Sequence, residues 1–166
     1  MYRASKYDIS WESLYNFAEL FNRESKFKHI QIYPAKEENF IDDGFIKNEL
    51  TGEKIIFDWE IRDRYFKNGV FRFQSLGQYE RKLKKESIDL SIQCDNTQTA
   101  VIVGWHEDWK KEEIDVIKLA TDDTEMEEAY IRYTKHFKIY MYDNISEFKE
   151  MINRAFELGQ LNYRSF

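Results

Sequence analysis

Nine residues, Lys54–Arg62 (KIIFDWEIR), constrain this chain more than any others. Ile55, Phe57, Trp59 and Ile61 share one parity, while Ile56, Asp58, Glu60 and Arg62 share the other. A strict period of two suits a β-strand and defeats a helix, whose faces repeat about every 3.6 residues. One face therefore joins a core and the other presents a row of charge. The segment also reads as the second arm of a hairpin, with Phe40–Lys47 as the first arm and Leu50–Gly52 as the turn. Across that turn Asp43 falls opposite Asp58 or Glu60, depending on register. Directly opposed residues share a face with Cβ atoms about 4.5–5.5 Å apart. Two or three carboxylates are thus expected to crowd one end of the hairpin.

Around this hairpin the pattern is mixed. A helix is predicted to open with Ser10 as its N-cap, carry Trp11, Leu14, Ala18 and Phe21 at helical spacing, and fade around Glu24–Lys26. His29–Tyr33 alternates as a strand stopped by Pro34, and a polar loop, Ala35–Asn39, follows. Phe66–Gly77 is predicted extended with a turn at Asn68–Gly69, and Tyr79–Glu86 is a charged run. Ile88–Cys94 and Ala100–Trp105 form a second hairpin around Asp95–Asn96, and His106–Glu113 a helical turn. Ile114–Ala120 reads as a strand, Asp122–Glu128 as an acidic loop, and Ala129–Tyr142 as a long edge strand or part helix. Ser146 is expected to cap a final helix with Phe148, Met151, Ile152, Ala155 and Phe156 apolar and Gly159 as its stop. This order gives a single α/β domain with a mixed central sheet, a flanking N-terminal helix, an acidic β-hairpin and a C-terminal helix. Residues 1–104 form the core, and 105–166 extend it with strands and a helix.

Composition narrows the function classes. Aromatic residues make up 17% of the 166, which argues for a packed core despite a mean hydropathy of −0.72. The apolar runs are too short to span a bilayer, and the opening MYRASKYDISWE lacks the apolar stretch of a signal peptide. The one cysteine, Cys94, forms no internal disulfide, so a cytoplasmic setting is expected. The net charge of −6 is unevenly spread. Arg62–Lys85 holds eight basic against two acidic residues, a local +6; Trp105–Tyr130 holds ten acidic residues against three lysines, a local −7. In the basic strip Arg64, Lys67, Arg72, Arg81, Lys84 and Lys85 interleave with Tyr65, Phe66, Phe71, Phe73 and Tyr79. Such a pattern suits a nucleic-acid backbone with some base stacking, or a surface strand whose rings face the core. The acidic stretch is a solvated face, or a mimic of nucleic-acid charge that fills a partner protein's DNA-binding groove.

Crowded carboxylates need positive charge among them: Arg62, a lysine of YERKLKKE, or a divalent cation. Oxygen-only donors suit Mg²⁺ or Mn²⁺. Zinc is disfavoured because Cys94 stands alone and His29, His106 and His136 lack ligand spacing. The plainer reading is a solvated strand face with a cross-strand pair of Glu60 and Lys47. His106, between carboxylates in GWHEDW, has no nucleophile nearby in sequence and reads as structural. Nothing marks Cys94 as activated.

The helix bearing Glu19, the strand, and the hairpin with Asp43 in FIDDGF and Asp58 and Glu60 in IIFDWEIRD together resemble the PD-(D/E)xK (restriction-endonuclease-like) nuclease superfamily. QYERK, with Lys82, is similar to the basic segment after the hairpin in some phage and bacterial members. The likeness covers about the first hundred residues on some five positions. It implies a Mg²⁺- or Mn²⁺-dependent endonuclease cutting DNA, with Glu19, Asp43, Asp58 and Glu60 as metal ligands. Asp43, Asp58, Glu60, Arg62 and Lys82 would be catalytic, and cutting both strands would favour a homodimer. One departure stands out: the position for the motif's lysine holds Glu60 or Arg62, and arginine serves poorly as a base. Lys82 then fills the role from a neighbouring element. Otherwise the fold persists without the reaction, as an interaction or inhibitor protein that binds a protein or nucleic-acid partner.

Overall fold

The computed structural model describes residues 2–35, 42–62, 65–111, 117–119 and 129–159. The chain runs α1 (Tyr2–Arg23), β1 (Ile30–Pro34), β2 (Gly44–Asn48), β3 (Lys54–Arg62), β4 (Phe66–Lys67), β5 (Val70–Phe71), β6 (Leu76–Tyr79) and α2 (Glu80–Leu83). It continues through β7 (Leu90–Asp95), β8 (Ala100–Trp105), α3 (His106–Lys111), β9 (Ile117–Leu119), β10 (Ala129–Thr134), β11 (Lys138–Met141) and α4 (Ile145–Leu158). The predicted mixed central sheet is present: six strands in the order β1-β2-β3-β7-β8-β11, antiparallel except for β3 against β7. A three-stranded sheet, β6-β10-β9, and the small β4–β5 hairpin complete the strands. No helix among the described residues is long and apolar enough to cross a membrane.

The period of two in β3 divides the molecule. On one face Ile55, Phe57 and Trp59 continue into Leu90, Ile92 and Cys94 of β7 and Val101 and Val103 of β8. The helices α1 and α4 cover this face: Phe17 lies 5.2 Å from Trp59 and 5.8 Å from Phe148, ring to ring. Trp59 Nε1 donates to Ser13 Oγ at 3.0 Å. Lys149, fully buried, donates to the carbonyls of Phe21 and Glu24, satisfying groups that the end of α1 leaves open. Asn22 grips both the N–H and the C=O of Ile32, closing part of the outer edge of β1.

The other face is polar along β3 and β7 and apolar along β8. Parallel neighbours need a long crossover, and here the chain between Arg62 and Leu90 supplies it over this second face. Leu76 and Leu83 of the crossover pack with Ala100, Ile102 and Trp109 as a second apolar cluster.

Several sequence expectations need correction. Residues 2–9 extend α1 back to Tyr2, so Ser10 is inside the helix; Ser13 Oγ donates to the Ser10 carbonyl at 2.7 Å. The segment RASKYD carries no apolar stripe that would announce this first part. Pro34 is the last residue of β1 rather than its stop, tolerated because β1 is an edge strand. Ala129–Tyr142 is two strands rather than one, and only Tyr142, which opens a 3-10 turn over Tyr142–Asn144, is helical. A break after Thr134, where His136 N–H bonds to the Thr134 hydroxyl, sends β10 to the small sheet and β11 to the edge of the large one. Asn144, not Ser146, precedes α4, and it makes no side-chain cap bond. Gly159 does end that helix, at a φ of 80°. The acidic loop Asp122–Glu128, and residues 36–41 with the expected start of the first hairpin arm, lie outside the described residues.

Candidate functional site

The hairpin register decides which carboxylates meet. Gly44 pairs with Phe57 across β2 and β3, and Asp43 N–H donates to the Phe57 carbonyl at 3.3 Å, so Asp43 comes opposite Asp58. A second bond fixes Asp43, whose Oδ2 accepts from the Trp59 N–H at 2.7 Å. Gly44 is what lets Asp43 sit there. Its φ is 154°, and a Cβ at this position would stand 2.6 Å from the Tyr33 carbonyl and 2.8 Å from the Phe57 ring. Lys47, at the far end of the hairpin, pairs in register with Lys54 and lies 3.7 Å from Glu49, so the expected Glu60–Lys47 pair does not form.

Glu60 instead shares a lysine with Asp58. Lys82, from α2, donates to Asp58 Oδ2 at 2.9 Å and to Glu60 Oε2 at 3.2 Å. Its side chain is 17% exposed, against 9% for Asp58 and 28% for Glu60. The structure thus gathers Asp43 from the segment just before β2, Asp58 and Glu60 from β3, and Lys82 from α2. Asp43 shares a side-chain hydrogen bond with Asp58, and burial together with the Asp58 charge pushes the Asp43 pKa up to about 7. The Trp59 N–H and Lys82 pull it back only partly. For Lys82, burial opposes the charge, yet the Glu60 and Asp58 carboxylates outweigh it and hold the ammonium above its ordinary value. The resting cluster has three acids against one fixed cation, and its surroundings draw Asp43 towards the protonated form.

Other expected site residues stand apart. Glu19 is on the outer side of α1, against the opposite face of the sheet, 68% exposed and ion-paired with Arg23. Arg62 shares the parity of Glu60, but its guanidinium bonds to Gln93 Oε1, reaches the Gly77 carbonyl at 3.5 Å and lies 5.4 Å from the Phe71 ring. Burial lowers its pKa, with Glu60 opposing. Lys67, Arg72, Arg81, Lys84 and Lys85 are exposed along the crossover, and Arg64 lies outside the described residues. Cys94 is buried beside the Tyr142 hydroxyl, and burial pushes its thiol up to about 12, in line with an unactivated cysteine. His106 is buried against Trp109, and burial brings its pKa down to about 3, with Lys110 and Lys82 adding to the effect. Neither of its ring nitrogens has a hydrogen-bond partner among the described residues.

Sequence reasoning missed a polar row beside the cluster. Ser91 and Gln93 of β7 pair in register with Asp58 and Glu60, both buried. Gln78 Nε2 donates to Ser91 Oγ at 3.0 Å, tying the crossover to the sheet. The signal was available: in LSIQCD, Ser91, Gln93 and Asp95 interrupt an apolar strand at the same period of two as KIIFDWEIR.

Chemically, the cluster offers hard carboxylate oxygens with a protonated amine between two of them. Among the described residues, no three His, Cys, Asp or Glu side chains stand as a ready-made metal shell. Lys82 lies between Asp58 and Glu60, where a cation would otherwise balance them. Comparison with known proteins returned no match to any family model, curated protein or solved structure.

Proposed function

We propose that this chain is a metal-dependent nuclease of the PD-(D/E)xK type that hydrolyses DNA phosphodiester bonds. One observation carries the reading: Lys82, absent from the strand where the motif would have it, reaches Asp58 and Glu60 from α2, beside Asp43. The helix, strand and acidic hairpin in that order, on a mixed sheet, agree with the restriction-endonuclease-like fold that the resemblance implies. Asp43, Asp58 and Glu60 fit Mg²⁺ or Mn²⁺ in donor chemistry, and Asp43 is raised first by burial and then by the charge of Asp58. These three would hold the ion, without Glu19. When bound, the ion supplies Lewis-acid polarisation of a phosphate oxygen and a counter-charge for the one that develops.

Lys82, drawn off its two carboxylates, holds the scissile phosphate and orients the attacking water. It stays protonated, so it acts as a positioned charge rather than as a base. Arg62 positions Gln93 and the Gly77 strand rather than touching phosphate. Lys67, Arg72, Arg81, Lys84 and Lys85 contact the DNA backbone, and cutting both strands would draw on a homodimer. The reading sets the chain in the cytoplasm, where Cys94 stays reduced. Cleavage of supercoiled and branched DNA with Mg²⁺ or Mn²⁺ tests it: wild type should nick and Asp43→Ala should not. Two equally inert proteins would sink the catalytic claim.

A second reading, an interaction protein that keeps the fold without the reaction, draws on the same lysine, which already satisfies Asp58 and Glu60. Thermal stability separates the two. A metal site gains stability with millimolar Mn²⁺ and loses the gain in Asp58→Ala; no gain in wild type favours the interaction protein.

A further inference from the structure

We propose that Tyr65 and Phe73 form a stacking platform for unpaired bases, so that the substrate is DNA with a single-stranded segment leading to the carboxylate cluster. This rests on the nuclease reading for its purpose, but on separate residues for its geometry. The two rings are 53% and 50% exposed and meet edge to face at 5.0 Å. Phe71 backs Phe73 at 5.7 Å and itself packs on buried Phe66 at 6.2 Å and on Phe137 at 5.6 Å. An aromatic column therefore runs from the second apolar cluster out to solvent.

Three features separate this pair from stray surface rings. Tyr65 has a φ of 64°, a conformation that bulky residues avoid. The backbone bears that strain although the ring is not buried by it. The hairpin beneath the rings is also fixed. Gly69 N–H donates to Asp95 Oδ2 at 3.2 Å, and Asp95 is itself buried and bonded to Thr97 and Thr99. Finally, exposed Lys67 and Arg72 lie within two residues of the rings in the chain, inside the +6 segment, so charge suited to phosphates accompanies rings suited to bases.

A chain of contacts links the aromatic column to the strand of the cluster. Arg62 packs on Phe71 and shares a strand face with Glu60 and Asp58. From Asp58 to Arg62, where the strand meets the aromatic column, the advance is about 13 Å. Ring platforms reward bases whose faces are free, and a paired duplex keeps its faces stacked.

Binding without metal tests the platform apart from cleavage. Fluorescence anisotropy in EDTA compares a labelled oligothymidine with a blunt duplex of equal length. Wild type should prefer the oligothymidine by about tenfold. Tyr65→Ala/Phe73→Ala should lose that preference while its duplex affinity, salt dependence and thermal midpoint stay in place. Phe73→Trp should keep the affinity and show quenching of the new indole as oligothymidine binds. No preference in wild type, or an equal fall for both DNAs in the double variant, overturns the platform. A protein that stacks on oligothymidine but never cuts leaves the platform standing and removes the nuclease; one that cuts duplex without the preference does the reverse.

Discussion

The two faces of the central sheet are built by the same strands and do opposite things. Towards α1 and α4, β3, β7 and β8 present Phe57, Trp59, Leu90, Ile92, Val101 and Val103 without a charge. Towards the crossover, the same β3 and β7 present Asp58, Glu60, Arg62, Ser91, Gln93 and Asp95, of which all but Glu60 and Arg62 are buried. Burying apolar area stabilises in proportion to that area, whereas burying charge costs free energy unless each group finds its partner. The first face accounts for folding. The second is held at a cost, and such costs gather where a protein needs its charges.

The largest expected effect is on the apolar face. Phe148 touches Phe17, Phe21 and Tyr140 and is fully buried. Phe148→Ala should lower stability by about 3–5 kcal/mol, read as a lower urea midpoint. Next comes Asp95, whose carboxylate gathers the N–H groups of Thr99, Ala100 and Gly69 and two hydroxyls. Burial works against its charge, but the bonds from Thr99, Thr97 and Ala100 prevail and hold its pKa below 3.8. Asp95→Ala strands three backbone donors and should cost about 2–4 kcal/mol. With a depressed pKa, the wild-type contribution is present above 3.8 and lost as pH falls through the lower folded value. The gap between the two proteins should therefore close in acid urea titrations. A gap unchanged at acid pH would mean that Asp95 acts by shape rather than charge.

The same contrast explains how much could be read in advance. Where burial follows period, as in KIIFDWEIR, LSIQCD and AVIVGW, strands were legible, Lys54–Arg62 and Ala100–Trp105 to the residue and Ile88–Cys94 with its ends shifted to Leu90–Asp95. The start of α1 was not, because Tyr2–Ile9 has no apolar stripe. Nor was the division of Ala129–Tyr142, since alternation marks a strand but not the sheet it joins. In the cluster, local pattern put Asp43 against Asp58 or Glu60, and the register chose Asp58. Lys82 was singled out only through the likeness of QYERK to a family's basic segment; the pattern of the charged run itself does not distinguish it from its neighbours. Which lysine of YERKLKKE falls over the carboxylates depends on the path of a 27-residue crossover between Arg62 and Leu90, information that no short window holds.

Lys82 gives the third test. Lys82→Met keeps much of the side-chain volume but leaves Asp58 and Glu60 facing each other without their shared cation. A loss of about 1–3 kcal/mol is expected. Because the pKa of Lys82 is raised, its contribution is complete below the unfolded value of 10.5 and fades only as pH rises through the folded one. The titration of Lys82 itself should accordingly add no slope to the loss between about pH 6 and 9. A variant as stable as wild type throughout would show that the polar face carries no such strain.

Asp43 should give the smallest effect, and one of opposite sign. Its pKa is raised from 3.8 to about 7, so the folded chain binds this proton more tightly than the unfolded chain does. The sign is the reverse of Asp95: the carboxyl costs nothing below 3.8, and its cost grows as pH rises from there and levels off above 7. Asn at this position keeps an oxygen for the Trp59 N–H and cannot ionise beside Asp58. In EDTA at pH 8, Asp43→Asn should therefore be more stable than wild type by about 1 kcal/mol, allowing for the water that reaches a half-buried group. Its lead should be nearly gone near pH 3, where the wild-type carboxyl is mostly protonated in both states. Millimolar Mn²⁺ should then reverse the order, because an ion that needs Asp43 stabilises only the chain that has it. A lead that persists unchanged in Mn²⁺ would mean that the polar face carries its cost for something other than a metal.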